Sequence, residues 1–130
     1  MNVLDENIPE PQRQLLRSWR IPVRQIGQDL GRQGMQDREQ VVPLLHSLSR
    51  PVLLTRDLGF YDEQLRHPEY CIVCLAVGPN EAASYIRRLL RHSAFNSKRK
   101  RMGKVVRVNQ IGIRAWVCGQ ESELEIAWES

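Results

Sequence analysis

The sequence has no apolar run approaching the roughly 18 residues of a membrane-spanning helix, so no membrane partner is expected. Its first stretch, Met1 to Gln12, carries acids where a signal peptide has a basic and then an apolar region. A cytoplasmic protein is therefore expected. Cysteine is scarce and odd in number: Cys71, Cys74 and Cys118 do not make a secreted disulfide framework. Cys71 and Cys74 form a CxxC, but inside an apolar run where residues three apart face opposite sides of a strand. Buried, reduced thiols are the expectation. Histidine is equally sparse, with His46, His67 and His92 scattered singly, which excludes the Cys/His clustering of a zinc site. Internal repeats and low-complexity linkers are missing too. At 130 residues the chain has room for one core, so residues 1–130 are expected to form a single domain.

What the chain does have is a short apolar stretch that ends in chemistry. Val52-Leu53-Leu54-Thr55-Arg56-Asp57, flanked by Pro51 and Gly59, reads as a buried parallel strand that delivers Asp57 to the carboxyl edge of a sheet. That edge is where open α/β sheets bind ligands. A second stub, Val3-Leu4-Asp5-Glu6, is also a strand tipped by acid, so two carboxylate-bearing strands can converge on one crevice.

Between these strands, Pro9 and Pro11 stand where a helix can start, and Leu15, Leu16 and Trp19 follow at helical spacing. Pro22 to Ile26 reads as a second strand, and Gly27, Gly31 and Gly34 mark a loop. Asp37 opens the next helix as an acidic cap, with Gln40 at the third position of a capping box; Pro43 should kink this helix or move its start later. Beyond Asp57, the acids Asp62 and Glu63 open a short helix. Tyr70 to Val77 is a further buried strand, and Asn80 is the N-cap of a helix carrying Ala83, Ile86, Leu89 and Leu90 on one face. Lys104 to Val108 and Ile111 to Val117 form a hairpin turning at Asn109-Gln110, and Leu124, Ile126 and Trp128 alternate as a last strand. Strands alternating with helices predict an α/β, three-layer, Rossmann-like domain with a mainly parallel sheet and a C-terminal β-hairpin.

Hard divalent cations take oxygen ligands, and Mg²⁺ typically binds through one or two carboxylates plus waters and substrate phosphates. Asp5, Asp37 and Asp57 each fall at a strand end or a helix start, so a Mg²⁺ or Mn²⁺ site is expected. Each acid also has a structural explanation: Asp37 as an N-cap, Asp5 with Glu6 as a solvated turn, Asp57 as the start of a turn completed by Gly59. The basic residues give a second signal. The whole chain has net charge +4, yet Glu81 to Arg107 holds nine Lys or Arg against one acid. Such a run is either a solvated face or a phosphate-backbone contact. Tyr85 and Phe95 are its only aromatics suited to base stacking, and both can equally be core. Arg56, Arg87, Arg91, Lys98, Arg99, Lys100 and Arg101 are the candidate nucleic-acid-binding residues.

Val3-Leu4-Asp5-Glu6-Asn7-Ile8-Pro9, an acid at Asp37 and Pro51-Val52-Leu53-Leu54-Thr55-Arg56-Asp57 with Phe60 occur in an order and spacing that resembles the compact, toxin-type PIN-like nucleases. The resemblance implies a metal-dependent endoribonuclease acting on RNA, with Asp5, Asp37 and Asp57 as catalytic metal ligands and Mg²⁺ or Mn²⁺ as the cofactor. It also implies a bacterial toxin neutralised by a separate antitoxin, and leaves a homo-oligomer open. The chain departs from the family pattern at Gly59, where members commonly carry another acid; Asp62, one turn on, is the candidate substitute ligand.

Two other readings compete. A non-catalytic RNA-binding module would keep the fold and the basic face without cutting. A signalling receiver domain would use Asp5, Glu6 and Asp57 with Lys104 as its late lysine, but Tyr70 to Val77 ends in Gly-Pro-Asn where a receiver has Ser or Thr.

Overall fold

The computed structural model describes residues 1–35 and 37–129. Seven strands make one sheet: β1 (Asn2–Leu4), β2 (Arg24–Gln25), β3 (Val52–Thr55), β4 (Cys71–Leu75), β5 (Lys104–Val108), β6 (Ile113–Val117) and β7 (Leu124–Ile126), in the spatial order β2-β1-β3-β4-β5-β6-β7. The first five strands run parallel, and β6 and β7 join antiparallel. Among the described residues four α-helices accompany them: α1 (Glu10–Ser18), α2 (Arg38–His46), α3 (Ala82–Arg91) and the single-turn α4 (Lys98–Arg101). No helix among the described residues is long and apolar enough to cross a membrane.

The layers follow from side-chain alternation. In β3, Val52 and Leu54 pack with α1 and α3 residues such as Leu16, Ile86 and Leu89, whereas Leu53 packs with Val41 and Leu45 of α2. In β4, Cys71, Val73 and Leu75 face the first group, and Ile72 and Cys74 the second. Both strands are buried on both faces, the pattern of a parallel sheet covered by helices. Full burial of each such aliphatic side chain contributes roughly 1.5–3 kcal/mol, so the two central strands are firmly held. The CxxC thiols lie on opposite faces and are free. Burial pushes Cys71 up to about 12, which keeps it a protonated, unreactive thiol. His92 is also structural: it is buried, with one ring nitrogen on the Ala127 carbonyl oxygen at 2.8 Å and the other accepting from the Ala94 N–H.

Several local expectations are corrected. Of the two effects expected of Pro43, the later start does not occur: α2 runs from its cap at Asp37 through Pro43 to His46. The proline is exposed, so the carbonyl left without its i→i−4 partner is on the solvent side of the helix. The capping box at Asp37 and Gln40 does not form, because the Asp37 side chain makes no capping hydrogen bond. Asn80 is no N-cap: Pro79–Glu81 form a 3₁₀ turn before α3, and the Glu81 carboxylate reaches back to the Gly78 N–H at 3.1 Å. The hairpin turn spans four residues, so β6 begins at Ile113 rather than Ile111. Asn109 Oδ1 accepts from the N–H groups of Ile111 and Gly112, an Asx-type closure that no central glycine is needed to make. Between β3 and β4 the short helix expected from Asp62 and Glu63 is a 3₁₀ turn, Glu63–Leu65, capped by Asp62 and preceded by a second such turn at Leu58–Phe60.

The chain leaves β1 toward β2 on one side and later returns to pair β3 on the other. The strand order therefore reverses between β1 and β3, and the crevice outside their carboxyl ends is the ligand-binding position of a doubly wound sheet. Asp5 follows β1 directly, and Asp57 follows β3 by two residues.

Candidate active-site crevice

Thr55 is the hub of this crevice. Its hydroxyl is fully buried and donates to Asp5 Oδ2 at 2.7 Å, while its oxygen accepts from Asn7 Nδ2 at 3.2 Å and from the Asp57 N–H at 3.0 Å. Asn7 closes the circle by accepting the Arg56 N–H at 3.2 Å. The two strand ends are thus tied through side chains as well as through the ladder.

Asp5 is only 2% exposed, and its second oxygen accepts from the Glu6 N–H at 2.7 Å. Burial pushes its carboxyl above the ordinary range; the hydrogen bonds from Thr55 and Glu6 oppose that shift, and the charges of Asp57 and Glu6 add to it. A carboxylate desolvated beside other carboxylates is what a bound cation would relieve. The sign of the pH effect follows. Because the folded protein keeps a proton on Asp5 that the unfolded chain has lost, stability falls as pH rises from the unfolded value through the raised folded one. In chelator, the stability of the parent minus that of Asp5→Asn is therefore expected to decline across that window and to level off above it. Urea denaturation at a series of pH values measures this, and a pH-independent difference would remove burial of the charge as the cause.

Asp57 is exposed, and one of its oxygens accepts the Gly59 N–H at 2.8 Å. The turn expected from Asp57 to Gly59 therefore exists. A Cβ at position 59 would lie 3.0 Å from Asp57 Oδ1, so the Asp57 carboxylate would have to shift slightly to admit a side chain there. Asp37 shares with Asp57 an open recess of about 430 Å³, walled also by Arg38 and Phe60. Its carboxylate is not used for capping. Asp62, the expected substitute for the acid at 59, is otherwise engaged: it pairs with Arg38 at 2.7 Å and caps the Glu63–Leu65 turn through the Gln64 N–H. Glu6 is also engaged, accepting the Gly34 N–H through both oxygens and so tethering the glycine-containing loop to the crevice.

Among the described residues, no group of three or more His, Cys, Asp or Glu side chains is arranged to hold a metal ion. The donors present, Asp5 and Asp57 at the strand ends with Asp37 facing Asp57, do fit the mode in which one or two carboxylates hold Mg²⁺ and waters and substrate oxygens supply the rest.

The expected nucleic-acid-binding residues do not gather at this crevice. Only Arg56 is here, its Nε donating to the Val77 carbonyl oxygen at 3.3 Å. Lys98 to Arg101 form α4 just before β5 starts, and the neighbouring Gly103 N–H donates to the Tyr70 carbonyl oxygen before β4. That is the amino edge of the sheet, separated from the acids by four residues of strand, roughly 13 Å. Arg87 lies 3.6 Å over the Trp19 ring, Lys100 Nζ holds the Ser93 carbonyl oxygen at 2.8 Å, and Arg101 holds the Phe95 and Leu90 carbonyl oxygens. Arg91, Lys98 and Arg99 are exposed. Phe95 is fully buried and Tyr85 packs on Trp128, so neither is a stacking platform for bases. Lys104, the receiver lysine of the rival reading, begins β5 at the amino edge with its ammonium 5.0 Å from the Phe95 ring, on the far side of the sheet from Asp57.

The sequence reading missed Thr55 and Asn7 as the ties between the two acids. Both sit inside the motifs that drew attention to the crevice, and a threonine at the end of an all-apolar strand was the available signal. In comparisons with family models, with curated proteins and with solved structures, nothing matches this chain.

Proposed function

We propose that the chain is a PIN-like, metal-dependent endoribonuclease that hydrolyses RNA phosphodiester bonds in the crevice between β1 and β3. The observation that carries this reading is the buried Asp5 carboxylate, tied through the Thr55 hydroxyl to the Asp57 backbone N–H at the reversal point of the sheet. An unpaired charge is expensive to bury, and no cationic side chain hydrogen-bonds or ion-pairs with Asp5 among the described residues. Asp5, Asp57 and Asp37 would hold Mg²⁺ or Mn²⁺, which when bound polarises a phosphoryl oxygen, lowers the pKa of a bound water and neutralises the leaving oxygen. The chain's own contribution is orientation. Thr55 and the Glu6 N–H fix both oxygens of Asp5, and the Gly59 N–H fixes one oxygen of Asp57. Arg56, held by Val77 and Asn7, supplies the cation closest in sequence to the acids for a substrate phosphate. In the toxin setting that the resemblance implies, a separate antitoxin would block this crevice.

A non-catalytic RNA-binding module is favoured by a different observation: Gly59 replaces an acid, and Asp62 is paired with Arg38. End-labelled single-stranded RNA incubated with the protein in Mn²⁺, and separately in EDTA, tests both. Shortening in Mn²⁺ alone supports the nuclease, retention without shortening supports the module, and neither shortening nor retention discards both.

A further inference from the structure

On the amino edge of the sheet, opposite the acids, five cationic side chains from three separate parts of the chain line one recess of about 630 Å³: Arg17 and Arg20 around the end of α1, Arg24 of β2, and Lys98 and Arg101 of α4. Ile21 to Val23 form its apolar wall, and no carboxylate is among its lining residues. Its size is that of a small-molecule site. Among the described residues only one of the five comes within ion-pair distance of a carboxylate. Arg17 approaches Asp29 only to 3.9 Å, and the same Asp29 oxygen already takes Arg13 Nη2 at 3.2 Å and the Gln25 N–H at 2.9 Å. Arg101 is anchored by the Phe95 and Leu90 carbonyl oxygens, which makes it a fixed wall of the recess. Gathering like charges without counter-charge works against folding, and guanidinium forks match phosphate oxygens in geometry.

We propose that this recess binds adjacent phosphate groups, supplied either by a phosphoanhydride chain or by the 5′ end of an RNA strand. The proposal does not depend on the nuclease reading, because the recess and the acids occupy opposite edges of the sheet.

The test is calorimetric titration in EDTA, so that nothing is cut, with three probes: tripolyphosphate, a 5′-triphosphate oligoribonucleotide and the same strand with a 5′-hydroxyl. The triple variant Arg17→Gln/Arg24→Gln/Lys98→Gln removes exposed cations that hold no backbone group. Arg88→Gln/Arg91→Gln/Arg99→Gln removes the same charge outside the recess. Tripolyphosphate affinity is expected to fall at least about tenfold in the first variant and less than about twofold in the second. The slope of log affinity against log salt for the triphosphate strand should drop by about 2 units in the first alone, at roughly 0.7 per contact. Should the triple variant prove unfolded by circular dichroism, Lys98→Gln alone, on the exposed α4 turn, must still show part of the loss. Preference for the triphosphate strand over the hydroxyl strand assigns an RNA end as the source, and equal binding of the two strands beside tight tripolyphosphate assigns a free anion. Equal losses in both triple variants, or no tripolyphosphate binding by the parent protein, would overturn the proposal.

Discussion

Asp57→Asn is expected to abolish cleavage of labelled RNA in Mn²⁺ while leaving the fold intact. The amide keeps the size and shape of the carboxylate, and its oxygen can still accept the Gly59 N–H that closes the turn after β3. What it loses is the negative charge that would hold the ion. Because Asp57 is exposed, the stability cost should stay within about 1 kcal/mol. The rate should fall at least about a hundredfold, beyond the tenfold to hundredfold typical of losing an outer partner of a metal ligand. The contrast between an unchanged thermal midpoint and a vanished product band separates a chemical role from a turn residue. Cleavage at the parent rate by the folded variant would mean that the crevice is not where RNA is cut.

Replacing EDTA by Mn²⁺ is expected to stabilise the parent protein substantially. Burial and the charges of Asp57 and Glu6 disfavour the ionised form of Asp5, and a cation binding only the native state relieves that cost. At a hundredfold excess over the dissociation constant the gain is roughly 2.7 kcal/mol, which in a chain of this size corresponds to a rise of about 10 °C in Tm. The rise should disappear in Asp57→Asn and in Asp5→Asn. A Tm that ignores millimolar Mn²⁺ would count against a formed site. Retention of the full increment in both variants would move the ion elsewhere on the molecule.

These two outcomes also bear on the departure at Gly59. The acid that family members commonly carry there would crowd Asp57 Oδ1, and the carboxylate one turn on is neutralised by Arg38. The recess beside Asp57 has two further carboxylates among its lining residues, Asp37 and Glu39, neither of them at position 59. Binding of Mn²⁺ with retention of RNA but no cleavage would place the chain with the non-catalytic RNA-binding reading.

What the sequence determined by itself is the part governed by short-range pattern. An all-apolar run from Val52 to Leu54 requires burial on both faces, and a run that stops in Thr-Arg-Asp requires that those groups emerge at a strand end. The same logic placed Asp5, put Cys71 and Cys74 on opposite faces and foresaw the mainly parallel sheet, because alternation along one strand is a local property of the backbone. The tertiary structure alone decided everything that depends on which distant segments meet. Arg38 occupies Asp62 because α2 and the turn after β3 face each other. Lys100 and Arg101 spend donors on carbonyl oxygens of the preceding loop, and a count of charges along Glu81 to Arg107 could not reveal that. The strand order decided that Lys98 to Arg101 lie on the edge away from the acids, and that Arg17, Arg20 and Arg24, none of them in the basic run, complete the recess there. Charge and hydropathy along a chain are one-dimensional, whereas the field at a site is summed over neighbours in space, and those neighbours are set by the order in which the strands pair.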